Sequence, residues 1–196
     1  NPVASRLMKE ADVIIALGTR LGFNSTFYSY DNINPEADIV QIELEPTAIG
    51  RYFPIRLGIW ADARAAARQL AKALEKVEVC EEVTAWTRTY IDERTAYLAQ
   101  RDADADGREI PIQPSGLYRV LRGVLPKNAI VTMDAGTLCL QATDALEYHE
   151  PLSLFTPLDF GLVGFSFACG LGVKLAQPDR PVVSLMGDGG FGMTVS

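Results

Sequence analysis

Cysteine, histidine and basic charge are all scarce in this sequence of 196 residues. The three cysteines, Cys80, Cys139 and Cys169, lie far apart, and no two have the spacing of paired metal ligands. An odd, scattered set reads as buried or surface thiols in a reducing cytoplasm, not as a disulfide framework or a zinc site. The single histidine, His149, excludes a centre built on two imidazoles. It falls in the loop-like stretch EYHEPLSLFTP, either solvated or acting as a gate beside a ligand. Asp and Glu number 25 against 18 Lys and Arg, a net charge of −7. That is the wrong sign for a nucleic-acid partner. No apolar run approaches the roughly 20 residues of a membrane span. Asn1-Pro2-Val3 leads straight into a helical pattern, without the marks of a secretory leader. The expectation is a cytoplasmic protein with a small-molecule substrate and neither a nucleic-acid nor a membrane partner.

What is present is an ordinary globular composition, 48% hydrophobic and 22% charged. The pattern alternates helix and strand. ASRLMKEA carries Ala4, Leu7, Met8 and Ala11 on one helical face. DVIIALG reads as a short buried strand, ADIVQIELE as a second and PIRLGIWA as a third. DARAAARQLAKALEKV reads as a helix with Asp62 as N-cap. After a charged, helix-prone middle, DADADGRE reads as a polar linker. The alternation then resumes. PSGLYRVLRGVLP is a helix capped near Ser115, NAIVTMDAG a strand, TLCLQATDALEY a helix, GFSFACGLGVKLAQ a glycine- and alanine-rich helix, and PVVSLMGDGGFGM a strand, a turn and the start of a helix. Buried strands separated by helices argue for an α/β fold with two doubly wound parallel-sheet, Rossmann-like units, both incomplete, joined by a helical linker. The boundaries fall at 1–78, 79–111 and 112–196.

Two strand ends carry glycine beside an acid, MDAG and MGDGG. In open α/β sheets ligands bind beyond the carboxyl ends of strands, and glycine lets backbone N–H groups approach an anion. Gly187-x-Gly189-x-x-Gly192 is formally a dinucleotide fingerprint. Its second position, however, is Asp188, and a carboxylate beside a bare pyrophosphate is repelled by like charge. An intervening Mg²⁺, which takes one or two carboxylates plus substrate phosphates, reverses the sign. Three readings of the turn stand: dinucleotide, magnesium-borne diphosphate, or a tight turn with Asp188 as a helix cap.

The motifs in their order resemble the thiamine-diphosphate-dependent enzyme family, acetolactate synthase-like. PDRPVVSLMGDGGFGM, NAIVTMDAG and DFGLVGFSFACGLGVKLAQPDRP resemble its diphosphate-binding domain. EADVIIALGTRLG, ADIVQIELEPTAIGR and GIWADARAAARQLAKAL resemble its central domain. The resemblance implies the later part of the central domain (1–78), a helical segment and linker (79–111) and the first part of the diphosphate-binding domain (112–196). It implies a thiamine-diphosphate- and Mg²⁺-dependent lyase or transferase that decarboxylates 2-oxo acids or joins their carbon skeletons.

Residue by residue, the resemblance makes Asp188 the magnesium ligand. Gly187, Gly189 and Gly190 offer N–H groups to the diphosphate, and Gly136 and Thr137 meet it from the other strand end. Val163, smaller than the Met of many relatives, would wedge beneath the thiazolium. Arg20, Glu43 and Asp62 match positions facing FAD in acetolactate synthase; the other reading of these three is strand-end salt bridges and a helix cap. The activating glutamate and a second metal ligand, an Asn, are expected outside these residues, which implies a fragment of a longer enzyme, homodimeric or homotetrameric and inactive alone. The alternatives are an FAD- or nucleotide-binding module and a non-catalytic relative.

Overall fold

The computed structural model describes residues 1–105 and 110–195. The chain divides into two compact units, Asn1–Tyr97 and Leu98–Ser196. Helix α1 (Pro2–Glu10) opens the first, with proline in the first turn, where no N–H is needed, and the Asn1 carboxamide accepting from the amides of Val3 and Ala4. Strand β1 (Val13–Leu17) follows, then the single turn α2 (Phe23–Thr26), β2 (Asp38–Glu43), β3 (Leu57–Trp60), α3 (Ala63–Leu74) and α4 (Glu81–Asp104). The three strands form a parallel sheet in the order β1-β2-β3. Asp62 caps α3 as expected, accepting from the Ala65 amide at 2.8 Å.

One face of this sheet is packed. Ile14, Ala16 and Ile39 meet Leu21, Ile33 and Phe53, with Met8 and Ala11 against them. The run VIIAL reads as buried on both faces, but only Ile14 and Ala16 are buried. Val13, Ile15 and Leu17 stand on the other face, 58%, 52% and 40% exposed. The cause is topological: α1 and the segments around residues 21, 33 and 53 all gather on the Ile14 face. A buried amide pins the strand ends. Gln41 donates to the carbonyls of Thr19 and Ala48 and accepts from the Gly50 amide at 2.7 Å.

The second unit begins in the last turns of α4. It continues with α5 (Pro114–Val124), β4 (Ile130–Met133), α6 (Thr137–Ala145), β5 (Leu154–Phe155), α7 (Ser166–Ala176), β6 (Val182–Leu185) and the short α8 (Asp188–Gly192). Its parallel strands run in the order β5-β4-β6. Helices cover both faces of β4. Val131 and Met133 pack with Tyr118 of α5 and Cys139, Ala142 and Ala145 of α6. On the opposite face Thr132 meets α7, its hydroxyl 2.9 Å from both the Ser166 carbonyl and Ser184 Oγ.

Three local expectations differ from the structure. The first residue of α5 is Pro114 with Gln113 as its N-cap, not a residue near Ser115, because proline's fixed φ suits the first helical position. The stretch read as a loop around His149 contains β5, a two-residue strand too short to show a hydrophobic period. The polar stretch 102–109 begins as helix, since α4 runs to Asp104; residues 106–109 of the expected linker lie outside the described residues.

Two of these features are testable. Asp102 accepts from Arg122 at 2.5 Å and from Arg101 at 3.3 Å. Burial pushes its carboxyl up, but the two guanidiniums outweigh that and hold it below the usual carboxylate value. A depressed folded value means the stabilisation is whole above the unfolded value of about 3.9 and is lost as pH falls through the lower folded one. The side chain is 45% exposed, so the pair contributes no more than about 1 kcal/mol. Asp102→Asn is expected to cost up to about 1 kcal/mol at pH 7 and almost nothing in strong acid, so that denaturant melts show a flatter acid limb of stability against pH. At Gly170 of α7, an added Cβ would lie 2.2 Å from Ser184 Oγ and 3.2 Å from Thr132 Oγ1. Gly170→Ala is expected to cost about 1–3 kcal/mol by overpacking, and Ser184→Ala in the same chain to recover part of it, read as shifts in Tm.

Candidate functional site

The order β5-β4-β6 means the chain leaves β4 to one side and later returns to the other. Between β4 and β6 the connections part at the carboxyl ends of the strands, which opens a crevice of the kind ligands occupy in open α/β sheets. Among the described strands of the first unit there is no such reversal, since β1, β2 and β3 lie in chain order.

Four short segments meet at the crevice. The first is the end of β4, where Asp134 is 2% exposed. Its Oδ1 accepts from the Ser166 amide at 2.6 Å and its Oδ2 from the Gly164 amide at 3.0 Å. The N-cap residue of α7, Phe165, makes no side-chain cap, so a carboxylate from β4 takes over that task at the positive end of an 11-residue helix. Next comes Gly136, the N-cap of α6, with φ of 112°, a region open to glycine; Thr137 is the first residue of that helix.

The third segment is the loop 161–164. It carries Val163 and is tied to the strand end by the Ala135 amide donating to the Leu162 carbonyl at 3.1 Å. Last is the turn after β6, with Gly187 as N-cap and Asp188 as first residue of α8. Gly190 is buried so tightly that an added Cβ would lie 1.9 Å from Asp134 Oδ2. Asp188 and Gly189 are exposed. Gly136, Thr137, Val163, Gly187, Asp188, Gly189 and Gly190 therefore all lie at this one end of the second unit.

Arg20, Glu43 and Asp62 lie in the first unit, beyond or at the ends of β1, β2 and β3. Both carboxylates already serve the backbone. Glu43 accepts from the amides of Leu44 at 2.8 Å and Glu45 at 3.3 Å, and Asp62 caps α3. His149 is exposed and lines a small cavity with Arg122, Lys127 and Ala129. Ala129 precedes β4, so this cavity sits at the other end of the strand from Gly136. The three cysteines are free thiols. Burial raises the pKa of Cys169, and Cys139 is buried in the core.

Sequence reasoning missed Asp134, Gly164 and Ser166 as contributors to the crevice. The signal was there in one respect: Asp134 directly follows the strand residues Ile130–Met133, mostly apolar and all buried, where a charge is costly unless hydrogen-bonded. What the sequence does not carry is that its donors lie 30 and 32 residues away.

Comparison with known proteins bears on both units. The model of the thiamine pyrophosphate enzyme central domain matches residues 1–70, and that of the C-terminal TPP binding domain matches residues 134–196. The chain is similar to a sulfoacetaldehyde acetyltransferase of Alcaligenes xylosoxydans xylosoxydans, 32% identical over 218 aligned residues that take in 100% of this chain and 36% of the relative. It is similar to a probable acetolactate synthase large subunit of Methanocaldococcus jannaschii, 30% identical over 194 residues, 96% of this chain and 32% of that one. A probable 2-ketoarginine decarboxylase of Pseudomonas aeruginosa is 25% identical over 187 residues, 94% of this chain and 31% of that one. The chain spans about a third of the length of these curated relatives. Nothing in these matches supports the expectation of FAD in the first unit. With its first unit matched by the central domain and its second by the cofactor-binding domain, the chain belongs to the thiamine pyrophosphate enzymes.

Proposed function

We propose that this protein serves a thiamine-diphosphate- and Mg²⁺-dependent enzyme that acts on 2-oxo acids, decarboxylating them and passing on the remaining acyl unit, as a lyase or transferase. The observation that carries the reading is Asp188. It is an exposed carboxylate at the mouth of the switch-point crevice, with no hydrogen bond or ion pair to the other described residues. A diphosphate beside it is repelled unless a divalent cation intervenes.

The donor set fits that cation in a particular way. Among the described residues no group of three or more His, Cys, Asp and Glu side chains could hold a metal ion. A protein-caged metal is therefore a poor fit. Mg²⁺ with one carboxylate, phosphate oxygens and water is a good one. On this reading Asp188 holds the metal, and the N–H groups of Gly187, Gly189 and Gly190 face the diphosphate. Gly136 and Thr137 approach it from the end of β4, and Val163 supports the thiazolium. The cofactor, when bound, supplies a carbon able to take up and release the electron pair of the broken bond, and the protein supplies orientation and shelter from water. The acid that activates the cofactor is assigned to no residue of this chain.

The substrate class rests on the relatives. They are named for acetolactate synthesis, decarboxylation of a 2-keto acid and acetyl transfer from or to sulfoacetaldehyde; a 2-oxo acid suits the first two, and the third is named for an aldehyde. The reading extends to a homodimer or homotetramer and to a cytoplasmic setting. Among the described residues no helix is long and apolar enough to cross a membrane.

The test is calorimetric titration of thiamine diphosphate into the full-length protein. Saturable binding is expected with Mg²⁺ and none after chelation; no binding with Mg²⁺ present overturns the reading. Asp188→Ala is expected to abolish that binding and leave thermal melting unchanged, and an unaltered affinity removes Asp188 from the metal site. Gly136→Ala separates strain from crowding, because an added Cβ there meets nothing within 4 Å while φ stays at 112°. The expected cost is about 1–3 kcal/mol of backbone strain, seen as a lower Tm together with weaker cofactor binding.

A further inference from the structure

We propose that Asp134 is the positioning residue of the cofactor crevice: one buried carboxylate fixes the loop that carries Val163 against the turn that carries Asp188. The proposal rests on the cofactor reading above but concerns a residue with no part in the metal or diphosphate contacts.

A carboxylate that is 2% exposed is retained only where hydrogen bonds offset its desolvation. Asp134 has no basic partner among the described residues, and its support is two backbone amides. Those amides belong to Gly164 and Ser166, on either side of the bend where the loop becomes α7. Gly164 adopts φ of 86° and directly follows Val163. Through these two charge-assisted bonds Asp134 sets the height and direction of the Val163 segment.

The same carboxylate presses on the other jaw. Gly190 lies two residues beyond Asp188 and packs so closely on Asp134 that an added Cβ would sit 1.9 Å from Oδ2 and 3.1 Å from Cγ. The jaws also touch directly, since a Cβ at Gly164 would meet Met193 Cβ at 3.3 Å. A structural role alone would be met by any group that fills the space and caps α7. The position of Asp134 between Gly164 and Gly190 makes it the common datum for both halves of the site.

The experiment uses a compensating pair in the full-length protein. Gly190→Ala alone drives a methyl into the Asp134 carboxylate, and melting should fall. Asp134→Ala removes the obstacle but leaves the Gly164 and Ser166 amides without their acceptor, so D134A/G190A is expected to recover part of the Tm lost in Gly190→Ala. Its affinity for thiamine diphosphate at saturating Mg²⁺ is nevertheless expected to stay about 10- to 100-fold weaker, the range typical of lost supporting contacts around a metal site. Hydrogen exchange at the Gly164 and Ser166 amides should be faster, while the amide of Val131 stays protected. Asp134→Asn keeps the shape with one acceptor oxygen in place of two, so one amide stays protected and affinity falls between the extremes. If the folded double variant binds as tightly as the wild type, the role of Asp134 is overturned. If the double variant does not fold, wild-type affinity in Asp134→Asn overturns it instead. Failure of the wild type itself to bind the cofactor with Mg²⁺ overturns the cofactor reading, a separate result.

Discussion

A negative charge buried at the end of a parallel strand must find donors, and in the second unit that requirement shapes everything around the crevice. The backbone N–H of Asp134 continues the sheet by donating to the Leu185 carbonyl of β6 at 3.1 Å, while its carboxylate is served from outside the sheet. Its donors come from a helix start, where the first N–H groups have no partner within the helix. The helix gains a cap, the carboxylate gains the positive end of the dipole, and the loop before the helix is drawn to the strand end. The glycine at position 190 follows from the same demand, since no side chain fits against the carboxylate there.

Below that contact the packing of α7 has its own logic. Buried Thr132 and Ser166 and half-buried Ser184 form a hydroxyl cluster, with Thr132 Oγ1 3.1 Å from Ser166 Oγ and Ser166 Oγ donating to the Thr132 carbonyl at 2.9 Å. Polar groups in a dry layer are tolerated because each has a partner. Gly170 lets the helix backbone settle onto Ser184 and Thr132. The small residues of SFACGLGV read as a close-packed helix in the sequence, and the structure identifies Gly170 as the residue at the point of contact.

Much of this was legible from residue pattern. The longer helices and five of the six strands among the described residues announce themselves through apolar runs, caps and glycine-flanked strand ends, whereas the single turn α2 does not, and Asp62 is a cap one can name in advance. The two strand ends with glycine and acid, MDAG and MGDGG, pointed to one end of the second sheet, where both lie. Local signals could not show pairing across distance. A two-residue strand such as β5 exists because β4 offers it hydrogen bonds, not because of its own composition. The half-exposed β1 looks in sequence like a strand buried on both faces, because an apolar run does not record which face its neighbours cover. Arg20, Glu43 and Asp62 matched flavin-facing positions by letter, yet the carboxylates of Glu43 and Asp62 cap local backbone.

The connection between the two jaws is itself informative. Val163 precedes α7, which runs away from the crevice, and Asp188 follows β6, which runs back to it. The outward path is 11 helical residues, about 16 Å at 1.5 Å per residue. The return is four strand residues and a short approach, at about 3.3 Å per residue. Jaw separation is thus the difference between two fixed lengths in one continuous bracket. Loss or gain of a residue in α7 would turn that jaw by about 100° around the helix and slide it by 1.5 Å. A change of length in α7 would therefore have to be offset in the connection at 177–181 for GLVGF and GDGG to keep their spacing.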